Sequence, residues 1–370
     1  MMKKIIFICM IMMGLLLVGC QPKYEINLET EQIILRVGDT YQLNVTHPIG
    51  EDLTYRDPKQ LVSISKLGLI TANAPGETTI YIEAANTKRT SIAIEVILDP
   101  SSMRVYFVDV GQADCMIAIL PNEEVLMIDC GLDYESTMGD EKYPSWAHIE
   151  EILTRENIQV IDHLIITHNH SDHYYYVPEL IASYEVKHIY SSGSVRYNSQ
   201  YLMIMRSIEY AGLTVEVLKT GDFIIDEGPL TLQVVATQVV EEDEDINYSS
   251  VMTKLTYYNR SFMLTGDAGS DPGDGEPIAL ASGIDLNSDV LKVGHHGSMY
   301  ASGTSFLQAV TPLFAIITTA QVTSTGHPHN SALDRLASIE ATILQSKDYG
   351  TILFTTDGFD LSYTTEKVPS

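Results

Sequence analysis

The sequence predicts a small all-β sandwich followed by a larger α/β domain whose strands are buried on both faces. Over Tyr24–Leu98, short runs of alternating apolar and polar residues are separated by turn signals such as Ala74-Pro75-Gly76, which is the pattern of a β-sandwich. Later runs such as Met103–Val108 and His163–Thr167 are largely apolar at successive positions, and Ser145–Asn157 has the pattern of a helix. Strands without alternation belong to a sheet that is covered on both sides, so the second part is an α/β fold.

The length and the charge of the chain limit its function. At ~100 to 200 residues per domain, 370 residues indicate two or three domains. The chain carries 22 Lys and Arg against 49 Asp and Glu, and after residue 98 the counts are 13 basic against 39 acidic residues. This balance argues against the basic surface that nonspecific nucleic-acid binding requires. It favours a neutral or cationic ligand, or an anion that is held through metal ions.

Residues 1–20 have the pattern of a signal peptide for export. Lys3 and Lys4 precede the apolar stretch Ile5–Val18, and Leu17-Val18-Gly19-Cys20 resembles a bacterial lipobox. The resemblance implies that Cys20 is lipidated and becomes the mature N-terminus, so that membrane lipid is a partner. We expect a protein that is lipid-anchored on the extracellular face of the membrane. An uncleaved anchor is the alternative, disfavoured because the run is shorter than the ~20 residues that span a bilayer.

Two further cysteines, Cys115 and Cys130, flank a predicted hairpin. If Leu120 lies opposite Val125, the same register sets the two cysteines opposite each other, and a disulfide is then conceivable. Two buried thiols are the favoured alternative, because a free cysteine packs readily as a small hydrophobic side chain.

The order of motifs in the N-terminal part resembles the bacterial Ig-like module of group 2. The matching segments are Val37–Leu43, Val62–Ser65, Gly68–Ala72 and Pro75–Ile80. The resemblance covers residues 24–98 and implies a small Ig-like sandwich that acts as a spacer rather than as a specific binder.

The densest cluster of chemical groups follows the strand His163–Thr167. His168, His170, Asp172 and His173 fall within six residues of one another in the following loop. Three imidazoles and a carboxylate at this spacing suit a divalent metal ion such as Zn²⁺.

Two later strands end in residues that would complete such a site. Ser261–Asp267 ends in a carboxylate that can bridge two cations, and Asp289–Ser298 contains the pair His295 and His296. Each of these motifs is weak alone, but together with the histidine cluster they indicate one shared metal site.

This combination resembles the metallo-β-lactamase superfamily, whose αββα sandwich binds one or two metal ions at the edge of its sheets. Within the superfamily, the motif order is similar to the hydrolase domain of ComEC competence proteins and to surface phosphorylcholine esterases. The resemblance covers residues 103–370. The motifs that carry it are Phe107–Asp114, Ile128–Gly131, His168–His173, Thr265–Asp267, His295–Ser298 and Gly326–His329.

The resemblance implies a site with two divalent ions, for which Zn²⁺ is expected in preference to Mn²⁺. In this assignment the first ion is held by His168 and His170, the second by Asp172, His173 and His295, and Asp267 bridges them. Such ions lower the pKa of a bound water toward ~7.

Other residues are expected around the ions. The resemblance implies that Asp109, Asp114 and Asp129 lie behind the ligands, where carboxylates orient imidazoles. Asp172, His296 and His327 are the expected catalytic residues, and the two histidines would hold a phosphoryl oxygen or protonate a leaving group.

Two departures from the superfamily pattern concern the first ion and the mouth of the site. The only histidine between residues 174 and 267 is His188, in a strand-like segment, where a structural role is favoured over a ligand. Tyr174-Tyr175-Tyr176 stands where the superfamily usually has small residues, and it either packs or offers an aromatic face to a cation.

These features predict a membrane-anchored, extracellular, metal-dependent phosphodiesterase. The ComEC resemblance favours a nuclease, whereas the acidity of the domain favours a small phosphodiester or a cell-wall substrate such as a choline-phosphate or teichoic-acid ester and disfavours DNA. A lactone or β-lactam hydrolase is one alternative. A non-enzymatic surface module with a structural metal site is the other.

Overall fold

The computed structural model describes residues 25–46, 52–85, 87–97, 101–132, 137–138 and 141–368. The chain divides into two units, with the boundary between Pro100 and Ser101. The predicted signal peptide and its lipidation residue Cys20 lie outside the described residues. Within the described ranges, none of the helices combines the length and the apolar character needed to cross a bilayer.

The N-terminal unit is built from β-strands in its described residues, which confirms the predicted class. Its strands are β1 (Asn27–Leu28), β2 (Gln32–Arg36), β3 (Thr40–Gln42), β4 (Val45–Thr46), β5 (Thr54–Arg56), β6 (Val62–Ile64), β7 (Leu69–Ala72), β8 (Gly76–Glu83) and β9 (Thr90–Ile97). They pair as β2-β9-β8-β5, β3-β7-β6 and β1-β4. Alternate residues such as Ile80, Ile82, Ile92 and Ile94 are buried, as expected for strands with one inward face. The assignment to the Ig-like module of group 2 stays a prediction.

The C-terminal unit contains two large sheets and eight helices in its described residues. The strands are β10 (Met103–Phe107), β11 (Met116–Ile119), β12 (Val125–Ile128), β13 (Thr137–Met138), β14 (Glu141–Lys142), β15 (Val160–Ile166), β16 (Glu185–Ser191), β17 (Val215–Val217), β18 (Phe223–Glu227), β19 (Leu230–Ala236), β20 (Met252–Tyr257), β21 (Arg260–Leu264), β22 (Val290–Lys292), β23 (Phe314–Ile317), β24 (Thr342–Gln345), β25 (Ile352–Thr356) and β26 (Leu361–Thr365). The helices are α1 (Ser145–Arg155), α2 (Ser171–Tyr174), α3 (Val177–Ser183), α4 (Ser199–Tyr210), α5 (Gly275–Ala281), α6 (Thr304–Val310), α7 (Asn330–Ser338) and α8 (Ser346–Tyr349).

The two sheets pack face to face and are covered by helices on their outer sides. Sheet A has the order β17-β16-β15-β12-β11-β10-β25-β26, and sheet B has the order β18-β19-β20-β21-β22-β23-β24. Phe107 and Phe354 of sheet A share one core with Phe262 of sheet B. On the outer faces, α1, α3 and α4 cover sheet A, and α5, α6 and α7 cover sheet B. This αββα sandwich confirms the predicted α/β fold class, and it explains why the strands are apolar on both faces.

The register of the hairpin β11-β12 differs from the prediction by one residue. Ile119, not Leu120, lies opposite Val125. Leu120 bonds instead to Glu124, and Glu123 adopts a left-handed conformation with φ 68°, so the loop has three residues rather than four. The two cysteines are therefore not opposite each other, and both are buried free thiols.

The topology brings the chemical motifs to one edge. Strands β12 and β15 of sheet A are parallel, as are β21, β22 and β23 of sheet B. The loops at the carboxyl ends of parallel strands meet at the same edge of a sheet, which is where ligands bind in open α/β folds.

Candidate metal centre

Loops from both sheets meet at this edge. His168–His173 follows β15, Asp267 follows β21, and His295 and His296 follow β22. His295 and His296 have φ values of 48° and 51°, in the left-handed region that side chains other than glycine avoid. Such conformations cost about 1–3 kcal/mol each and persist where the surroundings fix them, often at functional sites.

A glycine lets the histidine loop approach sheet A. A Cβ atom on Gly131 would lie 1.7 Å from the backbone oxygen of Asp172. The backbone N of Asp114 donates to that oxygen at 2.8 Å, and the N of Cys130 donates to the oxygen of His173 at 2.6 Å. The absence of a side chain at residue 131 therefore allows the backbone of the loop to dock on the strand ends.

Asp267 stands between two groups of potential ligands. Its Oδ1 lies 3.3 Å from Nε2 of His173 and 3.7 Å from Nε2 of His296. Its Oδ2 lies 4.0 Å from Nε2 of His168 and 3.7 Å from Nε2 of His295. Each carboxylate oxygen therefore faces a different set of imidazoles.

The Oδ1 side has the donors of a complete cation site. One ligand atom from each of Asp172, His173, Asp267 and His296 lies within 4.8 Å of the others. His173 Nε2, His296 Nε2 and Asp267 Oδ1 are buried and have no hydrogen-bond partner among the described residues. Ligands of a tetrahedral Zn²⁺ at ~2.0–2.1 Å lie roughly 3.3 Å apart, close to the separations seen here. Three buried polar atoms that lack partners are costly unless an ion occupies the space between them, so the residues fit a divalent metal.

This geometry corrects the expected roles of the two adjacent histidines. Nε2 of His296 lies 3.4 Å from Oδ2 of Asp172 and joins the second group, where His295 was expected. The side chain of His296 is 2% exposed, whereas that of His295 is 32% exposed and lies on the Oδ2 side of Asp267. Nε2 of His296 therefore faces the potential ligands, and its expected use for a phosphoryl oxygen or a leaving group stays a prediction.

The Oδ2 side has histidines nearby, but they are more widely spaced than the donors on the Oδ1 side. Nε2 of His168 and Nδ1 of His170 lie 3.0 Å apart, and His295 approaches the same carboxylate oxygen. Nε2 of His295 lies 3.7 Å from this oxygen. His188 is elsewhere, on β16, where its Nδ1 lies 3.2 Å from Glu216 and half of its side chain is exposed.

Asp129 supports His173 from behind. Its Oδ2 lies 2.7 Å from Nδ1 of His173 and accepts the hydroxyl of Thr167, while its Oδ1 accepts the backbone N–H of Thr167 at 2.8 Å. With Nδ1 engaged, the other ring nitrogen of His173 faces the centre, as is usual for metal-binding histidines.

Asp114 supports His296 through a buried ion pair that the sequence analysis did not identify. Nζ of Lys292 donates to Oδ2 of Asp114 at 2.7 Å, and the hydroxyl of Thr318 donates to its Oδ1. Nδ1 of His296 lies 2.9 Å from the backbone oxygen of Thr318. Lys292 is the last residue of β22, and no local pattern in the sequence indicates that it pairs with Asp114.

Asp109 was expected to lie behind the ligands, and its observed side-chain partner is a lysine. Its carboxylate is buried and accepts from Nζ of Lys367 at 3.1 Å. Lys367 is 258 residues away in the sequence, so no local pattern predicts the Asp109–Lys367 pair.

His327 is held by a residue that the sequence analysis did not single out as a site residue. Nε2 of Gln112 lies 3.3 Å from Nδ1 of His327, and Oε1 of Gln112 accepts the hydroxyl of Thr319 at 2.9 Å. The amide group of Gln112 therefore faces Nδ1, which makes Nδ1 the acceptor and places the proton on Nε2. Burial, and then the imidazoles of His295 and His296, lower the pKa of His327 to about 4, so the ring is neutral at pH 7.

The three consecutive tyrosines mainly pack. Tyr174 is buried in the core under sheet A, and the ring of Tyr176 lies 5.5 Å from the ring of Trp146. Of the two alternatives for this segment, packing or an aromatic face for a cation, these two rings show packing.

The electrostatics divide the histidines into two classes. Burial, followed by the rings of His173 and His170, holds the pKa of His168 well below its usual value, and burial also lowers the pKa of His170. Burial opposes a charge on His173, but Asp267 and the other carboxylates outweigh it and raise its pKa well above the usual value. Burial likewise opposes a charge on His296, whose pKa Asp267 and Asp114 raise. A metal ion competes with protons for these two rings, so acid should weaken its binding.

The C-terminal unit is similar in sequence to parts of known proteins. ComE operon protein 3 of Bacillus subtilis is 28% identical over 261 residues, which are 69% of this chain and 33% of that protein. Recombination protein 2 of Haemophilus influenzae is 26% identical over 244 residues, which are 65% of this chain and 27% of that protein. The matched region thus spans about a third or less of either relative. Among solved structures, the metallo-beta-lactamase fold protein YhfI of Bacillus subtilis is 11% identical, with a TM-score of 0.41 over 66% of this chain and 95% of that chain.

The family assignment rests on the sequence match rather than on that structural likeness. The sequence pattern of the Metallo-beta-lactamase superfamily matches residues 108–319, which is more than half of the chain. This range contains every potential ligand in the two groups around Asp267. The chain belongs to the metallo-beta-lactamase superfamily.

Proposed function

We propose that this protein is a phosphodiester hydrolase that depends on two divalent metal ions. Membership of the superfamily and the potential metal site indicate a hydrolase. The observation that carries the finer proposal is the position of Asp267, whose two oxygens each face a separate group of ligands. Two bridged cations suit the displacement at a phosphate, because they stabilise both the attacking and the leaving oxygen.

We propose two groups of donors for the ions. The second ion would be held by Asp172, His173, His296 and Oδ1 of Asp267, whose ligand atoms lie within 4.8 Å of one another. The first would be held by His168, His170 and His295 with Oδ2 of Asp267, a set supported only by pair distances. Imidazole nitrogens and carboxylates suit Zn²⁺, and we propose Zn²⁺ in preference to Mn²⁺. When bound, such ions activate a water molecule and polarise the phosphoryl group.

The residues of the chain then orient the reactants. Asp129 and Thr318 fix the rings of His173 and His296 through their Nδ1 atoms, so that the Nε2 atoms stay directed at the centre. Gln112 fixes His327 with its proton on Nε2, which makes the ring a neutral hydrogen-bond donor. We assign to His327 the binding of a phosphoryl oxygen rather than the donation of a proton, because a pKa of about 4 leaves few charged rings at pH 7.

The charge of the chain selects among phosphodiesters. With a formal charge of −27, the chain repels a polyanion and attracts a cationic head group. We therefore propose a small phosphodiester, such as a choline-phosphate ester or a cell-wall polymer of that chemistry, as the substrate. The name of one relative, Recombination protein 2, points instead to nucleic acid, and DNA is the competing substrate in the test below.

We also propose that the protein is anchored by a lipid on Cys20 at the outer face of the membrane. The support is the sequence alone, with two lysines, an unbroken apolar stretch and the lipobox-like end. Two acyl chains hold a protein on a membrane durably, where one chain does not.

A direct assay tests the proposed activity. The purified chain, loaded with Zn²⁺ or Mn²⁺, is incubated with bis-p-nitrophenyl phosphate, p-nitrophenyl phosphorylcholine, single-stranded DNA and a lactone. We expect hydrolysis of the phosphorylcholine ester in preference to DNA at low salt, and a smaller difference at high salt because salt screens charges. Turnover of the lactone alone would refute the phosphodiesterase proposal, and preference for DNA would make the protein a nuclease.

A further inference from the structure

Arg196 differs from the other basic side chains near the sequence motifs. The sequence offers six such residues, and five of them form ion pairs. The pairs are Arg104–Glu156 at 3.1 Å, Lys187–Asp162 at 2.6 Å, Lys254–Asp285 at 3.0 Å, Arg260–Asp289 at 2.9 Å and Lys292–Asp114 at 2.7 Å. In the part of the chain that the structure describes, no carboxylate oxygen lies within 4.0 Å of the Arg196 guanidinium.

Arg196 lies directly beside the first group of ligands. Its Nη1 is 3.4 Å from Nε2 of His170, and the side chain is partly buried. The other nitrogen of this ring, Nδ1, faces His168 in the ligand group. A neutral imidazole that binds a metal through Nδ1 keeps its proton on Nε2, so it cannot accept a hydrogen bond from the arginine. The guanidinium therefore stands next to the centre with donors that His170 does not satisfy.

The loop that carries Arg196 is fixed to the metal-binding loop. Nδ2 of Asn169 donates to the backbone oxygen of Ser194 at 2.7 Å, and the backbone N–H of Val240 donates to Oγ of Ser194 at 3.0 Å. Asn169 lies between two of the ligand histidines in the sequence. The position of Arg196 relative to the centre is thus set by short, buried hydrogen bonds rather than by a free surface loop.

We propose that Arg196 binds a non-bridging oxygen of the substrate phosphate and so makes the site specific for an anionic group. This inference rests on the proposed function and names the recognition element of the same site. The planar fork of a guanidinium suits phosphate oxygens, and it remains charged at all relevant pH values. A single cation without an acidic partner recognises one phosphate group, in keeping with a small diester rather than a polyanion.

Three variants test the role of Arg196. Arg196→Met keeps most of the apolar stem and removes the charge, and Arg196→Lys restores a charge without the fork. Arg206→Met is the matched control, because it removes one positive charge from the exposed surface of α4. We measure kcat/KM for bis-p-nitrophenyl phosphate, the affinity for inorganic phosphate by titration calorimetry, and the metal content of each protein.

We expect Arg196→Met to lower kcat/KM and phosphate affinity by about 10- to 100-fold, the value of one hydrogen bond to a charged group. Metal content should be unchanged, Arg196→Lys should recover part of both losses, and Arg206→Met should behave like the wild type. Unchanged phosphate affinity in Arg196→Met, or a wild type that binds no phosphate, would overturn the inference. Loss of metal from Arg196→Met would overturn it as well, since the residue would then act through His170.

The two proposals fail in different ways. If the wild type binds phosphate through Arg196 but hydrolyses no diester with either metal, the proposed function fails and the anion site stands. If it hydrolyses the diester equally well with and without Arg196, the function stands and the anion site fails.

Discussion

Replacing Glu276 by glutamine should change how the stability of the C-terminal unit depends on pH. Glu276 lies in the first turn of α5 and is 1% exposed. Its Oε1 accepts the backbone N–H of Ser302 at 2.5 Å, and its Oε2 accepts that of Gly303 at 2.8 Å. On the other side of the same loop, the guanidinium of Arg335 donates to three backbone oxygens of residues 299–302. These two side chains hold the loop that follows the histidine pair of the metal centre.

The magnitude follows from the raised pKa of this carboxyl group. Burial raises the pKa of Glu276 from 4.5 to about 7, although the two backbone hydrogen bonds lower it. Between these two values the folded protein holds a proton that the unfolded chain releases, so the free energy of unfolding falls as the pH rises. From pH 5 to pH 8, titration of this one group should lower the free energy of unfolding by about 2.5 kcal/mol, at about 1.4 kcal/mol for each unit of pKa difference.

Glutamine cannot titrate, so the variant should lose this part of the pH dependence. It also has only one carbonyl oxygen for two N–H donors, which should cost about 1–3 kcal/mol at every pH. At pH 5 the variant is therefore expected to have a lower free energy of unfolding than the wild type. Between pH 5 and pH 8 only the wild type loses stability through residue 276, so the difference should change by about 2.5 kcal/mol in favour of the variant.

Urea unfolding followed by tryptophan fluorescence measures this difference. Trp146 is the single tryptophan of the chain and lies in α1, so its signal reports the C-terminal unit alone. Glu209→Gln, at an exposed position on α4, is the control and should run parallel to the wild type. If the stabilities of Glu276→Gln and the wild type also run parallel from pH 5 to pH 8, the carboxyl group does not titrate near pH 7 and the reasoning is refuted.

Three further predictions concern the centre and the anchor. His296→Ala should lower the metal content from about two ions per chain to about one, whereas His188→Ala should leave it unchanged, as measured by elemental analysis; equal metal loss in both variants would contradict the assignment of ligands. Gly131→Ala should displace the backbone of Asp172 and lower kcat by about 100-fold with little loss of secondary structure by circular dichroism, and normal turnover would show that the loop tolerates a Cβ atom. Cys20→Ala should release the protein from membranes or block its processing, and fractionation and migration like the wild type would disprove the lipid anchor.

Local pattern was sufficient to predict the architecture and to find most of the residues that meet around Asp267. Strands that are apolar at successive positions can only be buried on both faces, which predicted an α/β sandwich. The ends of β15, β21 and β22 carry the histidines and carboxylates, and parallel strands bring such ends to one edge. The cluster His168–His173 is contiguous in the sequence, so its spacing alone indicated a metal site.

The direction of individual side chains could not be predicted in this way. His295 and His296 are neighbours of the same type. Two consecutive left-handed residues place His296 in the buried group on the Oδ1 side of Asp267, while His295 faces Oδ2. The hairpin register depended on one left-handed residue, Glu123, that shortened the loop by one position. Sequence patterns give the period of a strand or a helix, but they do not give the sign of φ at a residue other than glycine.

The supporting residues were decided by the tertiary structure alone. Asp109 pairs with Lys367 across 258 residues, and Gln112 contacts His327 across 215 residues. A carboxylate can bind an imidazole or an ammonium group equally well, so its type does not reveal its partner. The tertiary structure determines the partner. Burial makes an unpaired polar group costly, so the group bonds to the donor that the packing of the two sheets places within reach.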